Sequence, residues 1–188
     1  MTSRKAPIPN SYWVNDHLIA GEYPGGFDDR TTRERLGSLL DAGVRAFINL
    51  TEDFELPPYD RILREEAVTR AITVQHVRMS IRDATVTTVR HMREILSRIE
   101  RHAQANLPTY LHCWGGIGRT GTVVGCHLVE RGHTGEEALA EVARLFATMS
   151  MEMLRNHPEG SPETIAQKAM IRDWKKDGTR GELPRALP

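Results

Sequence analysis

A cysteine, three glycines and an arginine stand close together in Tyr110-Leu111-His112-Cys113-Trp114-Gly115-Gly116-Ile117-Gly118-Arg119-Thr120-Gly121-Thr122. The segment reads as a strand, a glycine-rich loop and a helix. Gly115, Gly116 and Gly118 let the loop curl so that successive N–H groups point inward. Such a nest binds an anion, and the N-terminus of the following helix adds partial positive charge to it. Arg119 brings a planar donor fork matched to phosphate oxygens. Cys113 sits at the mouth of the loop, where the N–H groups, the helix end and Arg119 all favour a thiolate. An anion cradle facing a thiolate suits nucleophilic attack on phosphorus, through a cysteinyl-phosphate intermediate. The Thr120 hydroxyl is placed to hydrogen-bond the sulfur and so to stabilise it as a leaving group when water attacks. Trp114 either lines the pocket or packs into the sheet.

The pattern His-Cys-x-x-Gly-x-Gly-Arg-Thr-Gly at 112–121 resembles the active-site loop of the cysteine-dependent protein tyrosine phosphatase superfamily, in particular its dual-specificity branch. The resemblance extends over residues 10–175. It implies a single-domain α/β fold with a central mixed sheet flanked by helices, and no metal or organic cofactor. It implies Cys113 as nucleophile, Arg119 as phosphate clamp, Thr120 as assistant in the second step and His112 as a buried support that keeps the thiolate charged. Trp114, Gly115, Gly116, Ile117, Gly118 and Arg119 are then the phosphate-binding residues. The superfamily also uses an aspartic acid on an upstream loop, which protonates the leaving oxygen and then activates water. Asp83, in Ser80-Ile81-Arg82-Asp83-Ala84-Thr85-Val86, is in the matching place. Proton transfer by such a group contributes about 10²–10⁴-fold. The proline the family often has after this loop is replaced here by Thr87.

The elements that must carry these residues alternate as in an α/β domain. Residues 17–20 and 44–50 read as strands, with a helix over 29–42 between them that stops at Gly43. A short helix at 59–67 is followed by an alternating strand at 72–79. The helix at 87–105 places Val89, Met92, Ile95, Leu96, Ile99 and Ala103 on one stripe. A strand at 110–112 leads through the loop into a helix at 119–131 that is apolar on nearly every side, and so buried. A helix at 134–149 carries Glu136 and Glu137 in its first turn, where the dipole favours anions. After a loop through 156–160, a last helix begins at Pro162 and runs to Trp174. The domain spans 8–177, with flexible tails at 1–7 and 178–188. Cys126 belongs to the core. Gln167 reads as a helical surface residue, although some superfamily members place residues near the hydrolytic water here. The aromatics of Ser11-Tyr12-Trp13 and of 20–26 are equally suited to packing and to substrate contact.

Composition narrows the partners. Lys+Arg and Asp+Glu both total 25, so the chain is formally neutral and lacks the basic surface that nucleic-acid backbones reward. The longest run free of these charges, 102–118, contains proline and glycines and does not span a bilayer. Residues 1–7 have no apolar segment behind their charges, so no secretory signal is expected. Two cysteines in 188 residues make no disulfide framework, and a cytoplasmic setting is expected. The absence of CxxC and HExxH argues against zinc. The expected substrate is a phosphorylated protein or small phosphomonoester, phosphotyrosine first, with phosphoserine or phosphothreonine beside it. No Lys or Arg lies inside 114–118, which disfavours the alternative of a phosphoinositide or inositol polyphosphate, unless Arg78 or Arg82 lines the rim. A silent phosphate-binding module is the second alternative. It is disfavoured because nucleophile, clamp and acid are all present. Sulfur transfer would lack this Gly-Arg-Thr-Gly helix entry, and arsenate reduction needs a better resolving thiol than Cys126.

Overall fold

The computed structural model describes residues 5–175. The expected tail 178–188, positions 1–4, and the last two positions of the domain, 176 and 177, lie outside the described residues. The element order is β1 (Ser11–Asn15), β2 (Leu18–Gly21), α1 (Asp29–Asp41), β3 (Ala46–Asn49), α2 (Asp60–Thr69), β4 (Gln75–Arg78), α3 (Val89–Gln104), β5 (Thr109–His112), α4 (Gly118–Glu130), α5 (Gly135–Phe146), α6 (Met151–Asn156) and α7 (Ile165–Arg172). The strands form one sheet in the order β1-β2-β5-β3-β4. β1 runs antiparallel to β2, while β2, β5, β3 and β4 are mutually parallel. This is the mixed sheet flanked by helices that the sequence implies.

The two-residue period of the strands divides the core between the two faces of the sheet. Ile19, Phe47 and Tyr110 point toward Leu36, Leu39, Leu40, Ile62 and Leu63 of α1 and α2. Ala20, Ile48 and Leu111, each next along its strand, point toward Met92, Ile95, Val123, Val124 and Val142 of α3, α4 and α5. The inner strands β2, β3 and β5 are buried at every residue, as a parallel sheet covered on both faces requires. α4 is buried at every residue but its last. Cys126 lies fully inside, and both cysteines are free thiols.

Several boundaries differ from expectation, among them the helix expected over 134–149, which ends at Phe146. The strand expected over 72–79 pairs only at Gln75–Arg78, because it is the sheet edge; Ile72 and Val74 still pack on the α1/α2 side before pairing begins. The segment after α5 contains the short helix α6, started by Ser150 accepting from the Met153 N–H. The last helix does not begin at Pro162. The Ser161–Pro162 peptide is cis, and Thr164 caps α7 by accepting from the Gln167 N–H while the Gln167 side chain accepts from the Thr164 N–H, a reciprocal capping box.

Candidate active site

The glycine-rich loop leaves the sheet at its centre. His112, the last residue of β5, sits in register between Gly21 of β2 and Asn49 of β3. Residues 113–117 therefore emerge at the C-terminal ends of the parallel strands, where open α/β sheets bind ligands. Gly116 has φ +76, and a Cβ there would lie 2.3 Å from Gly21 C and 2.6 Å from Glu22 N. Only glycine meets both demands. The Tyr23 N–H donates to the Trp114 carbonyl (2.7 Å) and the Tyr110 hydroxyl donates to the Glu22 carbonyl (2.6 Å), pinning the segment after β2 against the loop. Among the described residues, the N–H groups of Trp114, Gly115, Gly116, Ile117 and Gly118 meet no protein acceptor.

Cys113 is almost wholly buried at the floor of a cleft of about 380 Å³, and Trp114, Gly115, Ile117, Gly118 and Arg119 line the same cleft. Trp114 stands on its rim, 57 % exposed, rather than in the sheet. Gly116 faces away, toward Gly21. His112 is fully buried, and burial pushes its imidazole down to about 3, against a hydrogen bond with the Cys113 carbonyl that works the other way. It is therefore neutral, and its two contacts fix the tautomer. A carbonyl only accepts, so Nδ1–H donates to Cys113 O (3.0 Å), and Nε2 accepts from the Tyr59 hydroxyl (2.7 Å). His112 acts on the cysteine by holding its backbone, not as a cation.

Arg119 is 1 % exposed, yet held on several sides. Nη1 donates to Glu55 Oε2 (2.8 Å) and to the Ile81 carbonyl (3.1 Å), while Nη2 donates to Glu55 Oε1 (2.6 Å) and lies 2.9 Å from Asp83 Oδ1. Its Nε is buried without a partner. Burial works against the guanidinium, but the Glu55 bonds and the nearby negative groups overcome it and hold it charged more firmly than usual. Burial likewise works to raise the Glu55 carboxyl, and the Arg119 bonds bring it below the ordinary carboxylate range. Glu55 is the residue the sequence analysis missed. It is separated from Arg119 by 64 positions, in the loop after β3 whose turn is built by Asn49 accepting from the Thr51 N–H and hydroxyl. The only local signal is the acidic run Glu52-Asp53-Phe54-Glu55.

Asp83 is brought to the cleft by the loop between β4 and α3, as expected, and there it meets Arg119. Thr120 is fully buried beside the cysteine loop, but its hydroxyl makes no hydrogen bond, so the expected bond to the Cys113 sulfur is not made in this structure. Gln167 is not a surface residue: it is fully buried, because α7 packs its first turn onto the base of α4. Tyr12 and Tyr23 are buried, and Trp13 is partly buried against the α1/α2 side of the core; none of the three lines the cleft. Arg78 is engaged with the Glu52 carbonyl and Asp53, and neither it nor exposed Arg82 lines the cleft. The rim instead carries Glu22, Asp83, His157 and Glu163. His157, Glu159 and Glu163 bring donor atoms within 4.8 Å of one another, all partly open to solvent, and nothing else in the cleft points to an ion there. No helix among the described residues is long and apolar enough to cross a membrane.

A family model described as a Swiss Army Knife protein, DSP-PTPase phosphatase domain (PTP-SAK), matches residues 13–171. Among solved structures, the active form of Tk-PTP is 25% identical with a TM-score of 0.69, over 88% of this chain and 96% of that one. PTPMT1, solved with PI(5)P, is 18% identical with a TM-score of 0.64, over 87% and 93%. The core catalytic domain of the PP-IP phosphatase SIW14 from S. cerevisiae is 16% identical with a TM-score of 0.65, over 91% and 90%. The last two likenesses concern the fold alone.

Proposed function

This chain belongs to the DSP-PTPase family of cysteine-dependent phosphatases, and from that premise we propose that it hydrolyses phosphotyrosine-type monoesters through a cysteinyl-phosphate intermediate, with Asp83 as general acid and then base. The observation that carries the reading is the set of unpartnered donors around one sulfur: five loop N–H groups and buried Arg119 Nε, above Cys113. A buried donor without a partner, as Arg119 Nε is, is costly, and a tetrahedral oxyanion with three equatorial oxygens would satisfy it together with the loop N–H groups. Donors fixed in advance around developing charge stabilise a transition state without reorganisation.

In the first step the Cys113 thiolate forms the S–P bond as the ester O–P bond breaks. The leaving oxygen takes its proton from Asp83. In the second step Asp83 accepts a proton from water as the water oxygen attacks phosphorus and the S–P bond breaks. The departing sulfur carries the electron pair, and the Thr120 hydroxyl donates to it; its lack of any other partner leaves it available for this. Substrate phosphate replaces Asp83 at Arg119 Nη2, releasing the carboxyl to face the leaving oxygen.

The rim supports a substrate with one phosphate. Glu22, Asp83 and Glu163 face the cleft, and Arg119 is the cation among its lining residues. An inositol polyphosphate or phosphoinositide would bring further phosphates against these carboxylates. PTPMT1, solved with PI(5)P, and the PP-IP phosphatase SIW14 share this fold, so both kinds of inositol compound belong in the test. Wild type and Cys113→Ser should be compared on a phosphotyrosine peptide, a phosphoserine peptide, PI(5)P and an inositol pyrophosphate. The reading expects the highest kcat/KM on phosphotyrosine and no phosphate release by Cys113→Ser. Activity retained by Cys113→Ser refutes the covalent route, and a preference for either inositol compound refutes the substrate assignment.

A further inference from the structure

Gln167 is fully buried, yet it does not line the cleft. Its Oε1 accepts from the N–H groups of Glu163 (3.2 Å) and Thr164 (3.0 Å), which fixes which end of the amide faces the helix. The opposite end, Nε2, donates to the carbonyl of Thr85 (3.1 Å), two residues beyond Asp83. The segment before α7 is itself seated on the cysteine loop: the Ser161 hydroxyl donates to the Ile117 carbonyl (2.8 Å). That seating needs glycines on α4. A Cβ at Gly121 would lie 2.1 Å from Ser161 Oγ, and one at Gly118 would lie 2.9 Å from Gln167 Nε2. One short segment therefore holds the cradle with one side chain and the aspartate loop with another.

Ala84, between Asp83 and Thr85, has φ +55, a left-handed conformation that a residue with a Cβ resists and that persists when its flanks are held. One flank is Asp83 on Arg119, and that contact gives way when phosphate takes the guanidinium. The other is Thr85 on Gln167, which substrate does not touch. We infer that Gln167 is a positioning residue for proton transfer, its amide tethering the 80–86 loop so that Asp83 stays over the cradle once phosphate has displaced it from Arg119. This rests on Asp83 being the general acid.

The test uses the full chain with Gln167→Glu, which keeps an acceptor for the α7 cap but removes the donor. Gln167→Met fills the same volume with no donor and serves as the second variant should the first fail to fold. Two readouts separate tether from chemistry. Trypsin cleavage after exposed Arg82, mapped by mass spectrometry, reports loop opening; a lost hydrogen bond should speed it about 5-fold. Turnover of phenyl phosphate, a poor leaving group, should fall by a similar factor, while p-nitrophenyl phosphate changes less than about 2-fold, because a good leaving group needs little acid. In an Asp83→Asn background the Gln167 substitution should add nothing. Unchanged cleavage at Arg82, or equal losses on both esters, overturns the inference. Faster cleavage combined with an Asp83→Asn enzyme that shows no leaving-group dependence overturns it through the Asp83 assignment, leaving the tether itself intact.

Discussion

Glu55→Ala removes the carboxylate that grips both terminal nitrogens of a guanidinium with 1 % exposure. Removing one partner of a buried ion pair costs about 3–5 kcal/mol, because the remaining charge is left uncompensated. Asp83 and the Ile81 carbonyl still reach Arg119, so the loss belongs at the low end, about 3 kcal/mol. At about 2–4 °C per kcal/mol for a chain of this size, Tm should fall by about 6–12 °C. Activity should fall too, since Arg119 loses the bonds that aim its Nε at the cradle: about 10²-fold in kcat/KM on p-nitrophenyl phosphate, the scale for a misplaced clamp. Glu55→Gln keeps one acceptor and should recover part of both losses. The sign with pH is fixed by the depressed carboxyl. Its contribution is complete above the ordinary carboxylate value near 4.5 and is lost as pH falls through the lower folded value. The penalty of Glu55→Ala should therefore be flat from about pH 5.5 to 8. Calorimetry at pH 7 and steady-state kinetics check these expectations. A Glu55→Ala protein that melts within about 2 °C of wild type with unchanged kcat/KM would refute the claim that this carboxylate holds the clamp.

Further outcomes are expected. Gly116→Ala forces a Cβ into Gly21 and Glu22 at φ +76, and should abolish vanadate binding, measured by titration calorimetry, while circular dichroism reports whether the sheet survives. Thr120→Ala should slow the second step, giving a burst of p-nitrophenol in stopped-flow traces followed by a steady state about 10-fold slower than wild type, since the sulfur loses a hydrogen-bonded leaving position. Burial pushes His112 down to about 3 and His127 to about 4, so the unfolded chain binds protons below about 6.5 that the native one does not. Stability should drop by about 3 kcal/mol between pH 6.5 and 5, the slope rising toward about 1.4 kcal/mol per unit per histidine only well below pH 6.5; urea titrations with no such slope would contradict neutral burial. Burial pushes the Cys126 thiol up, so iodoacetate should label Cys113 in the native protein and reach Cys126 only after unfolding, as peptide mapping would show.

The parts of the site that are contiguous in the chain were legible in advance. Cys113, Arg119 and the glycines between them announce a cradle within seven residues, and the family resemblance together with element order points to the Asp83 loop. What escaped depends on contacts between distant segments. Glu55 looks like one acid in an exposed turn until the fold carries it across to Arg119. Gln167 occupies the polar side of an amphipathic helix, and tertiary packing overrides that pattern by seating the helix start on two glycines of α4. The true start of α7 did have a local signal, Thr164 followed three residues later by Gln167, which the proline at 162 obscured. The sequence pattern runs past strand β4 because half-buried Ile72 and Val74 keep the alternation going before the backbone pairs. Helix α6 is six residues long, too short for the spacing of Met151, Met153 and Leu154 to establish a helical period.

The strand order has a mechanical consequence. The nucleophile hangs from β5, the middle strand, braced by neighbours on both sides, whereas the aspartate loop hangs from β4, an edge strand with one neighbour. Local opening begins where bracing is thinnest, so amide exchange should loosen the proton-donating half long before the sulfur-bearing half yields. A chain built this way parts with catalysis and ligand grip in separate stages, and damage at the margin would leave a protein that still clasps phosphate after it has stopped turning it over.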